Sequence, residues 1–208
     1  MPKRSPKSKL AEAKHALYRQ LVLEAGERVF AEKGYDDAKV EEIAREAGLS
    51  LGTLYSVFRG KAEVFRAIHQ TADEALLRRA VERVRDVDDP LEAVLAGVRA
   101  YAEYFLEHPE LLRMHLREGF AWSSADSGAG SRDRTRAWSQ GMEMLTRACA
   151  RCIRAKVFVP GDPALFARMM IASQQVQLAH WIDQGMRPSR EAILRDMAEH
   201  VKRSFARG

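Results

Sequence analysis

Cysteine is scarce in this chain, two residues in 208, which excludes a disulfide framework and fits a reducing compartment. No run of eighteen apolar residues occurs, and the first residues lack an apolar stretch, so neither a membrane span nor a secretory leader is expected. Phosphate loops, nucleophile elbows and dinucleotide fingerprints are also missing. His115 and Glu118, three apart, resemble a metal or acid–base pair, but no second pair accompanies them. No Cys or His at finger spacing completes a zinc site with Cys149 and Cys152. An enzyme, a metal site and a cofactor are therefore not expected. What is present is a 46% hydrophobic share, enough for a core, and a formal charge of +5 that favours polyanions. A cytoplasmic protein without membrane partners is the expectation.

The most informative stretch is Ala38 to Lys61, AKVEEIAREAGLSLGTLYSVFRGK. Val40, Ile43, Ala44 and Ala47 recur at helical spacing and give one apolar face. Gly48 can take the left-handed conformation that ends a helix and turns the chain. Ser50 is a good N-cap for a second helix, Leu51 to Phe58, too short to stand alone. Leu54 and Phe58 would brace it, leaving Leu51, Gly52, Thr53, Tyr55 and Ser56 outside. A short braced helix with small and hydrogen-bonding residues outside suits the major groove. The pattern is a helix-turn-helix.

GLSLGTLYSVFRGK, preceded by VLEAGERVFAEKGYDDAKVEEIAREA, resembles the N-terminal domain of the TetR family of bacterial transcription regulators. The resemblance runs from about Arg19 to about Ile68 and includes Gly34-Tyr35, Ile43-Ala44, Gly48, Ser50, Gly52-Thr53-Leu54-Tyr55, Phe58 and Lys61. It implies that the outward side of the second short helix contacts double-stranded DNA. Thr53 and Tyr55 carry hydroxyls suited to phosphates, and Gly52 allows close backbone approach. Leu51 and Ser56 are candidates for base contact. Lys61, at the start of the fourth helix, and Lys39 are expected on phosphates, with Ser50 beside them. Where the family often has a hydroxyl residue this chain has Ala38 and Lys39, and where it often has a cation this chain has Leu51, so its base code is its own.

The whole chain reads as all-α, about nine helices and no strand. Residues 1–9 form a basic tail, either a DNA-reaching arm or a solvated end. Residues 10–60 form the helix-turn-helix domain, with a first helix of about Leu10 to Lys33, and residues 61–208 a helical remainder reached through a fourth helix of about 61–86. Further helices are expected at about 90–107, 109–120, 132–156, 162–184 and 189–205, with a Gly/Ser-rich loop over Ser123 to Ser131.

The family resemblance implies that this remainder binds a small-molecule effector and forms a homodimer through the last two helices. Aromatic and soft side chains gather as Tyr101, Tyr104, Phe105, Met114, Phe120, Trp122, Trp138 and Met142, with Gln174 and Gln177 as polar partners. An apolar cavity with a few polar groups would take a drug-sized or lipid-like molecule. Phe166, Met170, Ser173 and Trp181 form one stripe of the eighth helix, and Leu165, Met169, Ala172 and Val176 a neighbouring one. The first stripe, with Ile193, Met197 and Val201 of the ninth helix, is assigned to the dimer interface. Cys149 and Cys152 fall on the inner stripe of the seventh helix, as small hydrophobes or as an oxidant sensor. The resulting expectation is a repressor released from a palindromic operator by its effector. A constitutive or architectural DNA-binding dimer is the alternative.

Overall fold

The computed structural model describes residues 6–117 and 136–207. Nine helices occupy them: α1 Pro6–Asp37, α2 Val40–Glu46, α3 Leu51–Val57, α4 Lys61–Val84, α5 Pro90–Glu107, α6 Pro109–Arg117, α7 Arg136–Arg154, α8 Pro163–Asp183 and α9 Arg190–Phe205. Among the described residues the only extended pairing is one isolated bridge, Phe158 with Ala206. The fold is all-α. No helix among these residues is long and apolar enough to cross a membrane.

The chain divides into two compact units, Met1–His69 and Gln70–Gly208, so the boundary falls inside α4. In the N-terminal unit α1 packs on both α2 and α3. Val22, Ala25, Val29 and Phe30 of α1 are buried with Ile43, Ala44, Leu54, Phe58, Val64 and Ile68. Gly26 lets two helices meet closely, because a Cβ there would lie 2.7 Å from Val64 Cγ1 and 3.2 Å from Ile68 Cδ1. Helix α1 starts at Pro6, so the part of the expected tail from Pro6 to Lys9 is helical rather than irregular. Gly34 leaves the helical conformation at φ 79°, which ends the regular part of α1 at Lys33.

Helix α5 is the hub of the C-terminal unit, packing on α6, α7, α8 and α9. Three helices in it start with the same device. Asp89, Asp162 and Ser189 each accept a backbone N–H of the first turn, and proline follows the two aspartates where its missing N–H costs nothing. Backbone bonds from Val159 N–H to the Phe205 carbonyl and from Arg207 N–H to Val157 tie the end of α9 to the α7–α8 turn. The burial pattern corrects the assignment of α8 and α9. Met170, Trp181, Met197 and Val201, expected at a dimer interface, are buried in their own unit. Phe166 turns onto Phe205 (centroids 5.0 Å apart), and Ser173 and Ile193 are half-buried. The outward stripe is the neighbouring one, Leu165, Met169 and Val176, exposed by 47%, 47% and 55%.

Candidate nucleic-acid interface and effector cavity

The turn between α2 and α3 is built from backbone rules. Gly48 stands at φ 67°. Its N–H donates to the Arg45 carbonyl and the Leu49 N–H to the Ala44 carbonyl, the paired bonds that close a helix C-terminus through a left-handed residue. Ser50 Oγ then accepts the Thr53 N–H at 3.1 Å and lies 2.8 Å from Thr53 Oγ1. Leu54, Val57 and Phe58 are buried beneath, and the Arg19 guanidinium covers the Phe58 ring at 4.5 Å. A seven-residue helix is thus held from one end and one side.

Its outer face presents what the spacing predicts. Leu51, Gly52, Tyr55 and Ser56 are exposed and Thr53 is half-exposed. Ser56 Oγ donates to the Thr53 carbonyl at 2.6 Å, so only its acceptor side faces outward. Nothing inside the unit demands glycine at position 52, where a Cβ would meet only Ser50 Oγ at 3.9 Å. Lys39 is exposed and Glu42 Oε2 accepts its N–H, which fixes the start of α2. Glu42 also accepts from Lys33 at 2.6 Å, and Arg28 pairs with Glu46 at 2.7 Å. The Lys33 hydrogen bond, followed by the Lys39 N–H, holds the Glu42 carboxyl below the usual carboxylate range.

Lys61, expected on a phosphate, is engaged within its own unit. Its Nζ donates to the carbonyls of Tyr35, Asp36 and Ala38 at 2.8, 2.9 and 2.9 Å and sits over the Tyr35 ring. An ammonium has three donors, and all three are spent on the turn after α1. The side chain clamps that turn, where carbonyls without helical partners attract a cation. Arg59, exposed two residues beyond α3, was missed by sequence reasoning. A cation directly after the short helix was the available signal.

In the C-terminal unit a cavity of about 240 Å³ opens among α4, α5, α7 and α8. Tyr101, Trp138, Met142 and Gln174 line it as the sequence suggested. Tyr104, Phe105, Met114 and Gln177 do not, because they face other packing. Tyr104 and Phe105 meet each other's rings, Phe105 meets His115, Met114 is buried, and Gln177 donates to the Ser173 carbonyl. Phe120, Trp122 and Glu118 lie outside the described residues. The α4 wall of Asp73, Leu76, Leu77 and Ala80 was not anticipated, and Gly97 and Gly141 face the space with nothing within 4 Å of a built Cβ. Burial raises the Tyr101 phenol far above its ordinary range, with the Asp73 charge adding to it.

Cys149 and Cys152 are buried and unbridged. Burial pushes the Cys149 thiol up to about 12 and the Cys152 thiol up to about 11, so neither supplies a reactive thiolate near neutrality. No group of three metal-ligating side chains occurs among the described residues.

Residues 22–68 match the family described as bacterial regulatory proteins, tetR family. The N-terminal unit carries a TetR-family helix-turn-helix domain. It is similar to an HTH-type transcriptional repressor of Mycobacterium tuberculosis, Rv1474c, at 28% identity over 84% of this chain and 94% of that protein. It is also similar to the HTH-type transcriptional activator FasR of Mycolicibacterium smegmatis, 35% identical over 43% of this chain and 40% of FasR. The chain spans about half or less of the length of the first curated relatives it matches. Among solved structures, FadR of Bacillus subtilis in complex with stearoyl-CoA shares the fold, with a TM-score of 0.73 at 18% identity over 88% of this chain and 96% of FadR. The TetR-family match lies in the N-terminal unit, where the capped α3 stands.

Proposed function

We propose that this protein is a homodimeric DNA-binding transcription regulator, a repressor released from a palindromic operator by a small apolar effector. One observation carries the reading: the outer face of α3 is solvent-exposed while its caps and inner side chains fix its position. Leu51, Gly52, Thr53, Tyr55 and Ser56 would face the major groove, with Lys39 and Arg59 on flanking phosphates. The exposed α8 stripe of Leu165, Met169 and Val176 supports pairing with a second copy, which would present two α3 helices to half-sites about 34–36 Å apart. FadR's bound stearoyl-CoA and the cavity reported above support an effector site in the C-terminal unit. Helix α4, whose residues fall in both units, is the candidate lever. An effector that prefers one conformation and DNA that prefers another then weaken each other through one equilibrium.

The test is selection of bound duplexes from a random pool at fixed salt, followed by titration of the recovered DNA with candidate effectors. A palindrome with half-sites one helical turn or a multiple apart is the expected result. Binding without sequence preference that fades as salt rises would replace the regulator with an architectural dimer. A palindrome bound equally with and without a cavity-filling ligand would leave a constitutive regulator.

A further inference from the structure

One residue lining the cavity in the C-terminal unit, Gln174, carries a buried polar atom with no partner among the described residues. Gln174 is 1% exposed, and its Nε2 donates to the Met170 carbonyl at 3.4 Å. A backbone carbonyl only accepts, so this bond fixes which end of the amide is which. The opposite end, Oε1, is buried with no hydrogen-bond partner among the described residues. A buried acceptor left unpaired costs more than a typical hydrogen bond returns, so the site favours an occupant that brings a donor. Tyr101 lines the same cavity, and Gln175 Nε2 donates to its hydroxyl oxygen at 3.4 Å. The phenol is thus held against the Gln175 amide, and burial keeps its proton on the oxygen at any physiological pH.

We infer that the cavity takes a neutral, largely apolar molecule bearing a hydroxyl group, which donates to Gln174 Oε1. The inference rests on the effector-binding reading above and names the class of effector. A carboxylate head fits the cavity poorly, because Asp73 and Gln174 are among its lining residues and bring a negative charge and an amide oxygen rather than a cation. The two lining cations are at the exposed side and already engaged, Arg147 with Glu143 at 3.4 Å and Arg151 with the Asp88 carbonyl at 2.8 Å. Size follows from volume. An apolar cavity of about 150 Å³ holds benzene, so about 240 Å³ takes a body of roughly ten carbons.

The experiment uses the full chain and four probes with the same chain: 1-decanol, decyl methyl ether, decanoate and decylammonium. Binding is read by calorimetry and by tryptophan fluorescence, to which Trp138 in the cavity lining contributes. The expected result is 1-decanol binding about tenfold tighter than the ether and tighter than either ion. In Gln174→Leu the ether should bind as in the parent, which reports an intact cavity, while the alcohol falls to the ether's affinity. Equal affinity for alcohol and ether in the parent chain overturns the inference, as does decanoate or decylammonium binding tightest. Selected DNA is titrated in parallel. Preferential decanol binding with unchanged DNA affinity sinks the effector-release reading and leaves the hydroxyl site standing. DNA release by all four probes alike does the reverse.

Discussion

A glycine means opposite things in the two units. In the N-terminal unit Gly26 exists because there is no room: a single added carbon would press on Val64 at 2.7 Å. In the C-terminal unit Gly97 and Gly141 line a cavity where a built Cβ meets nothing within 4 Å. The first unit is closed around a short helix held from one end and one side. The second keeps unfilled space and an unpaired amide oxygen, both of which lower stability and make sense where something else binds.

The largest expected effect tests that contrast directly. Gly26→Val should destabilise the N-terminal unit by about 2–3 kcal/mol, because overpacking a closed contact forces neighbours off their rotamers. All three tryptophans lie beyond residue 100, so their fluorescence follows the C-terminal unit. In urea, circular dichroism should show an early transition that tryptophan fluorescence does not. Coincident transitions at a lower midpoint would mean that the units unfold as one. Gly141→Leu should do the opposite, stabilising by about 1 kcal/mol through helix propensity while abolishing the binding of 1-decanol. A destabilised Gly141→Leu would show the space to be needed by its own neighbours.

The second effect separates clamping from contact inside the N-terminal unit. Lys61→Met removes a cation shared by three carbonyls and should cost about 2 kcal/mol of stability. Among molecules still folded, the slope of log affinity against log salt should be unchanged. Lys39→Ala should leave stability within about 0.5 kcal/mol and flatten that slope by about one counterion. A flattened slope for Lys61→Met would restore it to the phosphates.

The turn at Gly48 and the cap at Ser50 were legible because each joins residues three to five apart, within reach of a sequence pattern. The role of Lys61 was not, since its acceptors lie 23 to 26 residues away in a turn whose geometry no spacing encodes. The two stripes of α8 were both visible, but which one faces outward depends on how α5, α7 and α9 pack, and the choice came out reversed at Met170 and Trp181. The cavity was half legible. Tyr101, Trp138, Met142 and Gln174 announce a soft wall, yet a void is a lack of atoms, and Leu76, Leu77 and Ala80 look like any amphipathic face. Gly97 and Gly141 inside apolar helices were the unread signal.

The smallest effect is a difference in alkaline sensitivity, because both thiols lie in the C-terminal unit. Burial raises Cys149 from 9.0 to about 12 and Cys152 from 9.0 to about 11. Above pH 9 the unfolded chain loses these protons while the folded chain keeps them. The folded state then binds more protons, so stability must fall as pH rises through that window and stay level with respect to these groups below it. Tyr101, raised from 10.0 by burial, adds the same sign above pH 10. The urea midpoint followed by tryptophan fluorescence should therefore drop between pH 9 and 10.5. A Cys149→Ala, Cys152→Ala variant, whatever its midpoint at neutrality, should lose most of that slope between pH 9 and 10. Parallel slopes for parent and variant would mean that the thiols are not the source and would leave Tyr101 as the group that titrates.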